Sequence, residues 1–142
     1  MSTDPASGVP ASMRDAVEAA KRRVADLHAE LLRWALVVWT AGNVSERVPG
    51  TTGHGDLLVI KPSGVTYDNI TPEAMVVCDL DGNLVDGDYW ASSDTAAHAY
   101  VYRHRADVGG VVHTHSTFAT AWAARGEPIP CVLTAMADEF GG

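Results

Sequence analysis

A chain of 142 residues suits one domain, and it is long enough to bury a core without disulfide or metal staples. Apolar residues make up 46% and charged residues 20%, an ordinary globular balance, and the net charge of −8 argues against general nucleic-acid binding, which needs a basic footprint. A small anionic ligand stays open, because backbone amides and hydroxyls hold phosphate without bulk positive charge. The two cysteines, Cys78 and Cys131, match neither a disulfide framework nor a zinc-ribbon spacing, and both read as buried thiols in a reducing compartment. The start "MSTDPASGVPASM" lacks the basic and apolar regions of a signal peptide, and no apolar run is long enough to span a bilayer. A cytoplasmic protein that binds neither membrane nor nucleic acid is the resulting expectation.

Residues 1–11 are rich in Ser, Pro, Gly and Ala and read as a disordered arm; 12–142 read as one domain. Ser12 with Asp15 resembles a capping box. Val17, Val24, Leu27, Leu31, Ala35 and Val38 then form the apolar stripe of a long helix that stops at "TAGNVSER". "VSERV" alternates as a strand, "LLVIKPSG" is a buried strand running into a loop, and "TPEAM" is one helical turn capped by Thr71. "VVCDLDGNLVDG" reads as a hairpin with Asp81-Gly82 at its tip, and "SSDTAAHAYVYRHR" as a helix behind hydroxyl caps. "VGGVVHTH" is a strand, and "STFATAWAARG" a helix capped by Ser116 and closed by Gly126. Hairpins mixed with helices exclude a doubly wound parallel sheet and predict a mixed, mostly antiparallel sheet with helices packed on it.

Two patterns carry chemistry. Along an extended Gly110–His115, side chains alternate faces, so His113 and His115 share one face with their Cα atoms roughly 7 Å apart. That spacing lets both rings converge on one metal ion, at about 2.0–2.1 Å per nitrogen for zinc, a reading preferred here to a pair of half-buried polar residues in a strand. The second pattern is three hydroxyl- and glycine-rich loops at element boundaries: Thr40–Ser45, Lys61–Val65 and Ser92–Thr95. One such loop is a cap or a turn; three in one domain point to a phosphate pocket, with Ser92 and Ser93 at a helix N-terminus and Lys61 adding charge. Asp94 either complements the helix dipole or stands beside the anion and the metal. His98, four residues on, reads as a core or helix-surface residue ahead of a ligand. His104 suits a helix C-terminus, and His28 and His54 read as surface residues.

"TAGNVS", "IKPSGV", "SSDT" with His98, "GGVVHTHS" and "TAMADEFGG", in this order and spacing, resemble the class II aldolase/adducin family, most closely its L-ribulose-5-phosphate 4-epimerase branch, over about Leu27 to Gly142. The resemblance implies a three-layer α/β/α sandwich around a mostly antiparallel sheet, and a homotetramer with active sites between subunits. It implies that His113 and His115 bind the catalytic divalent metal, zinc with manganese as the alternative. Asn43, Ser63, Gly64, Ser92 and Ser93, assisted by Thr40, match phosphate-holding positions, with Lys61 close by. Asp94 has the shorter form that epimerases use where aldolases carry Glu, and Asp138 matches an epimerase acid/base on the C4 hydroxyl. Met136 stands where arabinose-pathway epimerases often carry a His.

Gly142 falls short of the family's usual C-terminus. The third metal histidine, the last strands and an epimerase tyrosine are therefore expected outside this sequence, with slow turnover by the 142 residues alone. The implied activity is epimerisation of L-ribulose 5-phosphate to D-xylulose 5-phosphate by retro-aldol/aldol chemistry. Alternatives are an L-fuculose-phosphate-type aldolase, a ketose-phosphate dehydratase, and a non-catalytic adducin-like structural domain.

Overall fold

The computed structural model describes residues 8–140. A 20-residue helix, α1 (Arg14–Arg33), is followed by strands β1 (Asn43–Val48), β2 (Leu57–Ile60), β3 (Val76–Asp79) and β4 (Leu84–Asp86). Helix α2 (Thr95–His104), strand β5 (Gly110–His113) and the short helices α3 (Thr117–Ala123) and α4 (Thr134–Phe140) complete the order. The sheet order is β4-β3-β2-β1-β5, and each neighbouring pair is antiparallel. No parallel pair occurs among the described residues, so the expected mixed character is absent from this part of the sheet.

Side-chain alternation divides the core in two. Leu57 and Val59 point to one face, where Val17, Ala20 and Val24 of α1 meet them. Leu58 and Ile60 point to the other, against Ala99 and Tyr102 of α2. The result is the expected α/β/α layering, with a fully buried strand at its centre. No helix among the described residues is long and apolar enough to cross a membrane.

Several sequence expectations need correction. Of the expected disordered arm, residues 1–7 lie outside the described residues. The rest is packed: Gly8 N donates to Val85 O at 3.1 Å and Val9 is buried. Ser12 does not cap α1. A 3-10 turn at Ala11–Met13 moves the N-cap to Met13, and the Ser12 hydroxyl pairs with Thr51 Oγ1 at 2.8 Å. Helix α1 stops at Arg33, earlier than the apolar stripe predicts. Leu36 N bonds Leu31 O and Ala35 N bonds Leu32 O, both at 3.0 Å, with Ala35 at φ 52°. That is a Schellman closure with alanine in the left-handed position where glycine usually signals it. The chain beyond is therefore no helix face: Val37 is buried, while Val38, Trp34 and Trp39 are exposed.

Cys78 is buried under α2, but Cys131 is exposed, on a loop that packs on no core. Burial pushes the Cys78 thiol up to about 11. A thiol titration of the native chain is expected to count one fast thiol, Cys131, and a second only after unfolding. Two fast thiols would mean that the α2 face of the sheet opens readily.

Candidate active site

The site lies where the sheet comes apart. β1 and β2 pair as far as Ser45 and Ile60, while β1 continues with β5 to Asn43 opposite His113. Beyond Ile60 the chain bends toward the segment before α2. Ser92 N donates to Lys61 O at 3.2 Å and Ser63 N to Trp90 O at 2.8 Å. The split opens a cavity of about 360 Å³, lined by Thr40–Asn43, Lys61, Ser63, Gly64, Ser92–Asp94, His113 and His115. All the residues expected at the site therefore meet at one place, except Asp138. Asp138 is exposed on α4 and does not line the cavity.

Asn43 joins the parts. It is buried, and its Nδ2 donates to Asp94 Oδ2 at 2.6 Å and to Ser92 Oγ at 3.1 Å. Its Oδ1 is buried and finds no hydrogen-bond partner among the described residues. An unpaired buried carbonyl costs about 1–3 kcal/mol, so Asn43 is held in place at the expense of one unsatisfied polar atom. Asp94 stands at the N-cap of α2, but its carboxylate makes no cap bond and also accepts from His113 Nδ1 at 3.1 Å.

The His113 and His115 rings stack nearly parallel, 4.9 Å between centroids and 19° between planes. The strand itself ends at His113, yet both rings line the same cavity. The pair could supply two donors to a metal ion. Asp94 at Nδ1 fixes the His113 ring, so Nε2 is the nitrogen that could be offered to an ion, as where a carboxylate orients a metal-binding imidazole. Among the described residues no group of three His, Cys, Asp or Glu is placed to hold an ion. His98 does not supply a third donor; it is buried, lies outside the cavity lining and shares its Nδ1 with Ser45 Oγ at 2.7 Å.

Lys61 is buried at the cavity floor, its Nζ donating to Thr40 O at 3.1 Å and Pro62 O at 3.2 Å. Burial lowers its pKa from the ordinary 10.5, and Asp94 opposes that. Tyr67 donates from its hydroxyl to Ala41 O at 3.0 Å and Gly42 O at 3.3 Å, and burial pushes its pKa up to about 12. Nothing in the sequence pattern marked Tyr67 for this work.

Two buried histidines grip β1 on either side. His28, expected at the surface, has no exposure: its Nδ1 bonds Val24 O at 2.6 Å and its Nε2 accepts from Val44 N at 3.1 Å. Its i,i+4 place on the buried face of α1 is the signal that could have found it. On the α2 side Ser45 Oγ meets His98 Nδ1 and Tyr102 Oη, each at 2.7 Å. His54 and His104 are exposed, His104 in the last turn of α2 as its position predicts.

Known proteins are similar to this chain in sequence and in fold. The chain is 49% identical over 124 residues to L-ribulose-5-phosphate 4-epimerase UlaF of Salmonella paratyphi C, covering 86% of this chain and 52% of that protein. It thus spans about half the length of the curated relatives it matches. A solved L-fuculose 1-phosphate aldolase superposes with TM-score 0.71 at 29% identity, over 89% of this chain and 55% of the other. L-fuculose-1-phosphate aldolase from Thermus thermophilus does so with TM-score 0.63 at 29% identity, over 89% and 59%. Residues 22–142 match the family described as Class II Aldolase and Adducin N-terminal domain, and the chain belongs to that family.

Proposed function

We propose that the chain carries the phosphate- and metal-holding part of a ketopentose-phosphate epimerase, acting on L-ribulose 5-phosphate to give D-xylulose 5-phosphate. The observation that carries this reading is the meeting of Asn43, Ser63, Gly64, Ser92 and Ser93 with the His113–His115 pair in one cavity. The relationship to the Salmonella epimerases, at 49% identity, supports the substrate.

The residues divide the work. Ser63, Ser92 and Ser93, with the Gly64 amide and the N-terminus of α2, hold the phosphate; Lys61 and Thr40 flank it. That anchor keeps the phosphate-bearing fragment in place while the C3–C4 bond breaks and re-forms with C4 inverted. His113 and His115 would hold a divalent ion, zinc or manganese, which would supply Lewis-acid polarisation of the ketose carbonyl. Asp94 orients His113 and is the carboxylate standing in the cavity. Asp138 as the acid/base at the C4 hydroxyl rests on the resemblance of its motif alone. Cytoplasmic location and a homotetramer complete the proposal.

Aldol cleavage with release of the fragment is the second reading, favoured by the solved L-fuculose 1-phosphate aldolase. Carbon NMR of the products separates the two: C4 inversion without release, or two fragments. Ser92→Ala is expected to weaken inorganic phosphate or substrate binding by roughly tenfold or more, the value of one hydrogen bond to a charged group, and zinc binding much less. Equal losses for both ligands by calorimetry would remove Ser92 from the phosphate site.

A further inference from the structure

β1 outruns its partner, and the buried backbone left unpaired at that point has an unusual acceptor. Arg47 N donates to Gly109 O beside β5, so odd-numbered residues of β1 turn their N–H groups to β5 and even-numbered ones to β2. The β1–β2 register runs Ser45↔Ile60, so the carbonyl that Val44 N–H would meet next is that of Lys61. That carbonyl has turned away and accepts from Ser92 N. Val44 N–H is left without a strand partner in the interior, where an unmade hydrogen bond is costly. His28 Nε2 accepts it at 3.1 Å, while His28 Nδ1 is committed to Val24 O at 2.6 Å. Both ring nitrogens are thus used, and the ring is wholly buried beside Tyr67, 6.0 Å between centroids.

We propose that His28 is a positioning residue for the anion cavity: its Nε2 stands in for the missing strand carbonyl at Val44 and holds the tip of β1, with Asn43, where β1 and β2 part. The function of such a stand-in is to let the sheet split without fraying. The Lys61 carbonyl is then free to anchor Ser92, and Asn43 stays fixed against Ser92 and Asp94. The inference rests on the reading of the cavity as a phosphate site.

The test uses two amides that each copy half of the imidazole. In His28→Gln the amide oxygen reaches the Nε2 position and can accept from Val44; in His28→Asn only the bond to Val24 O can be kept. Inorganic phosphate binding is measured by calorimetry well below each variant's unfolding temperature, with deuterium exchange at the Val44 amide. Expected is near-native phosphate affinity and Val44 protection for His28→Gln. For His28→Asn, phosphate affinity should fall roughly tenfold and Val44 exchange should be fast, as for one lost polar contact in the site. His28→Phe, which fills the space with no acceptor, replaces His28→Asn if that variant does not fold, and should behave the same way. Equal phosphate affinity in all folded forms would overturn the positioning role and leave the phosphate site standing. No phosphate binding by the native chain would overturn the cavity reading, and this inference with it.

Discussion

Gly42→Ala is expected to cost about 3 kcal/mol or more of folding stability, and Gly64→Ala only about 1 kcal/mol. Both glycines have positive φ, 74° and 70°, so both substitutions carry the strain of an L-residue in the left-handed region. Their surroundings differ. A Cβ on Gly42 would lie 2.4 Å from Val37 Cγ1 and 2.9 Å from His113 O. Val37 is buried in the small core with Leu31 and Val44 and is stiff at χ1, and the His113 oxygen is backbone of the β1–β5 pair. Neither can yield without moving Asn43 or the histidine pair. A Cβ on Gly64 meets nothing within 4 Å. Urea unfolding of the two variants checks the difference. Gly42→Ala should also lose phosphate binding, because the turn that presents Asn43 is displaced. Similar costs at the two positions would show that Val37 repacks freely and that the turn is not tightly set.

The parts of this molecule that sequence made legible are those with a short-range physical signature. The alternation in "VSERV" and the apolar run "LLVI" placed β1 and β2, and the Asp81-Gly82 tip placed the β3–β4 hairpin, where Asp79 Oδ1 indeed accepts from the backbone of Asp81 and Asn83. His113 and His115 were legible because strand periodicity fixes faces. The loops were legible because Ser, Gly and Asn at element ends have few structural alternatives that need so many hydroxyls. What failed was tertiary in origin. The end of α1 is set by a left-handed alanine, which no propensity favours, so the stripe was read past Arg33 as far as Val38. The burial of His28 is not legible locally, because it depends on a strand that parts from its neighbour far downstream in the chain. The exposure of Cys131 is not legible in composition, because the described residues beyond α3 pack on no core. Asp138, on an α4 without buried residues, does not line the cavity, and its role rests on its motif alone.

Acid should destabilise the fold before its carboxylates protonate, and His28 is the reason. Burial pushes its pKa down from 6.5 to about 4, with the Lys61 ammonium acting in the same direction and the Val24 carbonyl opposing. His98, buried between Ser45 and Tyr102, is also lowered, first by burial and then by His113, with Asp94 opposing. The sign follows from proton counting. Above about pH 6.5 both imidazoles are neutral in folded and unfolded chains, and stability is full. As pH falls below that, the unfolded chain takes up protons that the folded chain refuses, so stability drops toward the folded pKa. For His28 the interval from 6.5 to about 4 corresponds to about 3 kcal/mol when fully traversed. Its protonated ring would also set an N–H against the Val44 N–H, removing the acceptor that the strand tip depends on. Carboxylates held low, such as Asp56 under the Gly50 amide and Arg47, add their own loss only at lower pH. The measurement is the urea midpoint of the native chain and His28→Gln at several pH values between about 7 and 5, above the usual carboxylate range. The native midpoint should fall steadily, and that of His28→Gln should fall less, by the share His98 retains. Parallel curves would mean that His28 titrates alike in both states and is not buried as described.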